Sequence, residues 1–262
     1  MIHVPTAPWA HPLFDVASWA VGGAMGLTLY RWRLRETARG VAAAVGPGYF
    51  ICLVAGAALG AWASGSLNTI RQASPALSHS IAGALVGAIV GVEAYKAVRR
   101  IRGSTGRLFV GSFASGVAMG RWGCLFAGLP DRTYGVPARL PWAVDLGDGI
   151  GRHPVQVYES LAMAAFLALY IWGLAKRAPW AMRRGFYALC IWYGAQRFAW
   201  EFLKPYPSIV GPFNIFHLLC GGLVAYGARY YLRDLDDERA DSPQMRPLSL
   251  PRTDDEPLRD LP

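Results

Sequence analysis

The chain has 262 residues, 53% of them hydrophobic and 16% charged, with ten Trp and a net charge of +9. It is too apolar for an ordinary soluble domain, and the cysteines Cys52, Cys124, Cys190 and Cys220 stand singly, without the paired spacing of a disulfide framework or a zinc site. A basic balance in such a chain speaks of membrane topology, and nucleic-acid binding is excluded as a reading.

Met1 to Pro12 shows no basic stretch ahead of an apolar core, so no removable signal peptide is expected there. A bilayer-spanning helix needs roughly 20 mostly apolar residues. Seven such runs follow in order, at about 13–30, 48–65, 77–97, 108–128, 156–175, 185–203 and 213–232. Backbone groups cannot stay unpaired in hydrocarbon, so each run must be helical. The predicted fold class is therefore an all-α integral membrane protein with seven transmembrane helices.

Basic residues punctuate these runs on one side. Arg31, Arg33, Arg35 and Arg39 follow the first run, Lys96 to Arg107 the third, and Lys176 to Arg184 the fifth. The positive-inside rule then places the N-terminus outside and the C-terminus in the cytoplasm. Residues 1–233 form the expected membrane domain, with an outer loop at 129–155. Residues 234–262, rich in Asp, Glu, Arg, Pro and Ser, are expected to be a disordered cytoplasmic tail.

Glycines recur at four-residue spacing: Gly22 and Gly26, Gly56 and Gly60, Gly83, Gly87 and Gly91, Gly116 and Gly120. Such spacing lets membrane helices approach closely, and the expectation is a compact bundle. Within the loop, Asp145-Leu146-Gly147-Asp148-Gly149 has the look of a calcium loop without the remaining ligands, and reads as a tight turn.

A charge at the centre of a bilayer costs at least about 3 kcal/mol, so ionisable groups inside the runs point to function. With 1.5 Å of rise per residue, Arg121 lies roughly 20 Å along the fourth helix and Arg197 roughly 17 Å along the sixth. Both guanidinium groups then sit in the outer half of the membrane. Tyr193, Arg197 and Glu201 are four residues apart and share one helical stripe, with Glu201 able to hold the Arg197 fork. With Glu201 as the one obvious intramembrane carboxylate, the two arginines want a further anion, and their fork geometry suits a phosphate. His79, Tyr158, Glu159 and His217 start their helices from the same side, while Glu93 pairs with Lys96 at the other. His153 lies in the loop above and, with His79, is a candidate general base. There is no HExxH, no GxSxG and no Walker-type glycine loop.

At these residues the chain resembles the bacterial prolipoprotein diacylglyceryl transferases. The matching stretches are Gly120-Arg121-Trp122-Gly123, His153-Pro154-Val155-Gln156-Val157-Tyr158-Glu159-Ser160, and Tyr193 through Pro205. The resemblance implies a seven-helix inner-membrane enzyme that moves the diacylglyceryl group of phosphatidylglycerol onto the lipobox cysteine of a prolipoprotein, with its site toward the outer leaflet. It implies Arg121 and Arg197 as essential arginines, with His153 or His79 as the base. Tyr193, Glu201, Gln156, Tyr158, Glu159, Gly123, Cys124 and Gly135 are implied as substrate-binding positions, and no metal or other cofactor is implied. Alternative readings are a lipid-binding or lipid-moving protein of the same fold, and a transferase with another acceptor. Cys124 stands where the family signature has an Asn, with Ala127 and Leu129 in place of a second Asn and a Glu, and Ala82-Gly83-Ala84 in place of a His-Gly-Gly. The Cys124 thiol reads either as a small buried packing group or as a group transiently alkylated during turnover.

Overall fold

A computed structural model describes residues 1–69 and 78–240. Among these residues seven long helices are present: α1 (Ala10–Leu29), α3 (Pro47–Thr69), α4 (Ile81–Arg99), α5 (Val110–Ala127), α6 (Val155–Ala175), α7 (Pro179–Glu201) and α8 (Ile215–Ala240), with a shorter α2 (Arg35–Ala44) after the first. The helix ends follow local chemistry. Ser80 caps α4 by accepting the Gly83 N–H at 3.3 Å, and Pro179 opens α7, where a missing N–H costs nothing. Gly128 closes α5 with a positive φ of 73°, a conformation that glycine adopts freely.

Three of these helices, α3, α4 and α6, are long and apolar enough to cross a membrane. The exterior agrees with that composition, since Trp19, Leu59 and Val98 are each more than 70% exposed. The glycine spacings resolve into two internal seams. Gly56 and Gly60 of α3 meet Gly83, Gly87 and Gly91 of α4 backbone to backbone, while Gly22 and Gly26 of α1 face Ser112 of α5. The core gathers around Val110, Ala114, Met163, Tyr170, Leu189 and Tyr193, all buried, where α5, α6 and α7 meet.

Four features depart from the sequence reading. The basic stretch after the first run, read only as marking the run's inner end, continues the helix through a π turn at Tyr30–Leu34 into α2, because no Gly or Pro interrupts it before Gly40. Helix α7 begins at Pro179 instead of near 185, taking Arg183 and Arg184 into its first turns. Helix α8 runs on to Ala240, past the boundary at 233; the rest of the expected tail, and position 77 at the start of the third run, lie outside the described residues. The N-terminus and outer loop are not irregular throughout. Strand β1 (Ile2–His3) pairs in parallel with β2 (Val144–Asp145), which pairs antiparallel with β3 (Gly151–Arg152). Val4, Leu125, Val144 and Leu146 form a small second core beneath this sheet, tying the loop to the end of α5.

The Asp145 loop is a turn, as read. Asp145 Oδ1 accepts the backbone N–H groups of Gly147, Asp148 and Gly149 at 2.9, 3.2 and 3.0 Å, and Arg152 clamps Asp148 at 2.6 and 2.7 Å.

Candidate active site

The first turns of α6 carry Glu159 into the gap between the last turns of α5 and α7. Two side-chain bonds set that placement. Ser160 Oγ donates to the Ala118 carbonyl of α5 at 2.6 Å, and Trp192 Nε1 of α7 donates to the Ala162 carbonyl of α6 at 3.0 Å. Glu159 is 1% exposed and faces three cations. Arg121 forms an ion pair with it, Arg197 Nη1 donates to it at 2.7 Å, and Lys204 Nζ donates to it at 2.7 Å. Glu201 extends the cluster, accepting from Arg197 Nη2 at 2.8 Å, from Lys204 at 3.4 Å and from Asn214 Nδ2 at 3.3 Å.

Arg121 and Arg197 thus meet at one depth, sharing a carboxylate. The expectation that Glu201 was the one intramembrane partner is corrected: Glu159 lies deep between three helices and compensates both arginines. Charges buried this far from water persist only when paired and hydrogen-bonded. Three cations against two carboxylates still leave the cluster formally one positive charge in excess.

Arg121 and Arg197 also line a cavity of about 1010 Å³ that runs between the helices. Its walls are largely apolar, with Leu53, Leu85, Ile89, Phe109 and Phe113 among them, and its far end reaches Glu93 and Tyr226. There Lys96 donates to Glu93 at 2.8 Å, and Tyr226 does so at 3.0 Å. A long apolar chamber with a cationic end suits an amphiphile with an anionic head.

The cationic end of the cavity carries a second group of polar side chains. His11, at the start of α1, sets Nε2 3.0 Å from Asp131 Oδ1 and Nδ1 3.0 Å from Asp15 Oδ2. Cys124 Sγ lies 3.9 Å from His11 Nε2 and 3.8 Å from Arg121 Nη1. Thr133 donates to the other oxygen of Asp131. Burial alone would raise the Asp131 carboxyl, but the bonds from His11 and Thr133 outweigh it and hold the group below its ordinary value. His79 lines the same cavity, its ring 6.4 Å from that of His11 and 6.2 Å from that of Trp62.

Other sequence-predicted positions do not line the cavity. His153 stands where the outer loop enters α6, packs its ring on Tyr158 at 6.3 Å and does not line the chamber. The loop enters α6 from the side of Trp200, which contacts Tyr158 at 5.2 Å, while Trp142 donates to the Tyr158 hydroxyl at 2.8 Å. Gln156 is buried, with Nε2 3.5 Å from Thr133 Oγ1. Gly135 and Gly123 are packing positions: an added Cβ would meet His153 Cβ at 2.8 Å in one case and Phe14 Cβ at 2.6 Å in the other. Tyr193 is fully buried and stands edge-on to Phe113 at 5.2 Å.

Sequence reasoning did not single out His11, Asp131, Asp15 or Lys204. Lys204 carried a signal, three residues after Glu201 at the end of an apolar run. His11 and Asp131 carried none, because only the folded chain brings the N-terminus beside the loop.

The fold and site define a predominantly helical bundle with a membrane protein's apolar exterior, in which an arginine-rich cluster lines one end of a long apolar chamber. The sequence profile of the family described as prolipoprotein diacylglyceryl transferase matches residues 18–233, and the chain belongs to that family. Among similar proteins, the phosphatidylglycerol–prolipoprotein diacylglyceryl transferase of Cupriavidus pinatubonensis is 35% identical over 99 residues, covering 37% of this chain and 34% of that protein. The protein of the same name from Polynucleobacter asymbioticus is 33% identical over 98 residues, 37% and 36% of the two chains. That of Bordetella parapertussis is 31% identical over 148 residues, 55% and 53%. The chain thus spans between about a third and a half of the length of these curated relatives. No solved structure matches it.

Proposed function

We propose that the chain transfers the diacylglyceryl group of phosphatidylglycerol to the thiol of a prolipoprotein lipobox cysteine, at the outer leaflet of a bacterial inner membrane. Seven helices span the bilayer in this reading, with the N-terminus outside, and the tail after α8 is cytoplasmic. The observation that carries it is the convergence of Arg121 and Arg197 on one end of the apolar cavity, in a chain of this family. Lipid acyl chains occupy the chamber and the phosphate meets the guanidinium groups. The excess positive charge stabilises the glycerol phosphate as it departs. His79, which lines the chamber, is better placed than His153 to take the thiol proton. Tyr193, Glu201 and Glu159 hold the arginines in position, while Gln156, Tyr158 and Gly135 shape the loop above them.

The test is a vesicle assay with labelled phosphatidylglycerol and a lipobox peptide. A thioether product that disappears in Arg121→Ala is expected, and no product from folded protein would overturn the reading. A second reading, lipid binding without chemistry, is favoured by the carboxylates that already engage both arginines. It predicts that Arg121→Ala weakens binding to anionic vesicles while no covalent product ever forms.

A further inference from the structure

The side chains of His11, Cys124 and Asp131 come from the start of α1, the last turns of α5 and the loop that follows. One ligand atom from each lies within 4.8 Å of the other two. A nitrogen, a sulfur and a carboxylate oxygen form a donor set that zinc takes readily, and three protein ligands leave a fourth tetrahedral position open. Ligand atoms around tetrahedral zinc stand about 3.3–3.6 Å apart, from bond lengths near 2.0–2.3 Å. Here His11 Nε2 stands 3.0 Å from Asp131 Oδ1 and 3.9 Å from Cys124 Sγ, and all three donor atoms lie within 4.8 Å of one another, so side-chain shifts of about an ångström bring them to that spacing.

The supporting groups match such a centre. Asp15 holds the other ring nitrogen of His11 at 3.0 Å, the carboxylate–histidine arrangement that orients a metal-bound imidazole. Thr133 holds the second oxygen of Asp131, leaving Oδ1 facing the histidine. Arg121 Nη1 donates to Cys124 Sγ at 3.8 Å and holds the sulfur from the side of α5. Its own charge is met by Glu159 and so opposes a cation less. All three donors line the chamber, so the open position faces the cavity.

We propose that His11, Cys124 and Asp131 bind a zinc ion whose open position takes the incoming thiol of the acceptor. The inference rests on the transferase reading for its chemical use, though not for its existence. The acceptor thiol coordinates the ion and gives its proton to His79, which lines the same cavity. The bound thiolate sulfur forms a bond to the glyceryl carbon of the lipid. The carbon–oxygen bond to the phosphate breaks, and its electron pair leaves with the glycerol phosphate. The thioether product is a poorer ligand than the thiolate and departs.

The test uses the full chain in detergent, free of affinity tags and stripped with a chelator, titrated with Co2+ and then Zn2+ without lipid. One Co2+ per chain is expected, with a thiolate-to-cobalt charge-transfer band that Zn2+ abolishes. Cys124→Ser should remove the band at unchanged thermal stability, and Asp15→Asn should weaken Co2+ binding by about 10–100-fold. A small cysteine peptide should intensify the band as a second thiolate joins the ion. No band from folded protein, or a band that persists in Cys124→Ser, would overturn the site. A thioether formed at full rate by both the stripped protein and Cys124→Ser overturns the metal's role and leaves the transferase reading standing. Metal binding that responds to the peptide, with no lipid product, leaves the site standing and removes the transferase reading.

Discussion

Arg197 Nη1 donates to Glu159 Oε1 at 2.7 Å, joining α7 to α6 across 38 residues of sequence. The same carboxylate is the partner of Arg121 and Lys204, so one buried side chain compensates three buried cations. Removing its charge leaves those cations buried and undercompensated. Glu159→Gln should therefore destabilise the bundle by about 3 kcal/mol or more, measured by chemical unfolding in mixed micelles. A loss below about 1 kcal/mol would show that the cluster relaxes toward solvent.

Arg197 spends its two terminal nitrogens on different carboxylates, Nη1 on Glu159 and Nη2 on Glu201 at 2.8 Å. A lysine keeps the charge but loses the planar fork. On the proposed transferase reading, Arg197→Lys should lower turnover of phosphatidylglycerol more than tenfold, about 1.4 kcal/mol on the barrier. Rates within about twofold of the parent would reduce Arg197 to a neutralising role.

The α3–α4 seam is limited by glycine. A Cβ on Gly87 would press on the Gly56 carbonyl and stand 2.8 Å from Gly60 Cα, while one on Gly222 of α8 would meet nothing within 4 Å. Gly87→Ala should thus cost about 1–3 kcal/mol by forcing the helices apart. Gly222→Ala, with only the helix preference to register, should be neutral or stabilising by up to about 1 kcal/mol. Equal behaviour of the two in thermal unfolding would contradict a backbone-to-backbone seam.

What the sequence disclosed depends on the range of the contacts involved. Seven long apolar runs are local in pattern, and each has its helix. Arg197 and Glu201 are one turn apart on one stripe, so their pairing could be read directly, as could that of Glu93 and Lys96. The partner of Arg121 could not, because Glu159 lies on another helix and its depth depends on how α6 packs. His11 and Cys124 are 113 residues apart, and no spacing rule links them. For a related reason the sequence did not disclose the surroundings of His153: its place just before α6 fixes neither the direction of its ring nor its packing on Tyr158. The π turn and α2 were hidden by arginines, which mark a membrane boundary as readily in a helix as in a loop.

The outer loop carries its own pH dependence. The Asp145 carboxyl is held below its ordinary value first by the Gly147 N–H, against the opposing effect of burial, and then by the Gly149 N–H. The Asp148 carboxyl is held down first by its hydrogen bonds with Arg152. A carboxyl with a lowered folded-state value stabilises the fold fully above its unfolded value, about 4 for Asp, and ceases to do so as pH falls through the folded value. The turn, and with it the sheet that joins β1 to the loop, should therefore be intact at neutral pH and loosen only below about pH 4. Hydrogen exchange at the Gly147 and Gly149 amides should accelerate there beyond the intrinsic trend. In Asp145→Asn it should already be fast at neutral pH, because the neutral amide oxygen accepts those N–H groups more weakly than the carboxylate. Protection unchanged by that substitution would mean that the strand pairing, and not the Asp145 carboxylate, holds the loop.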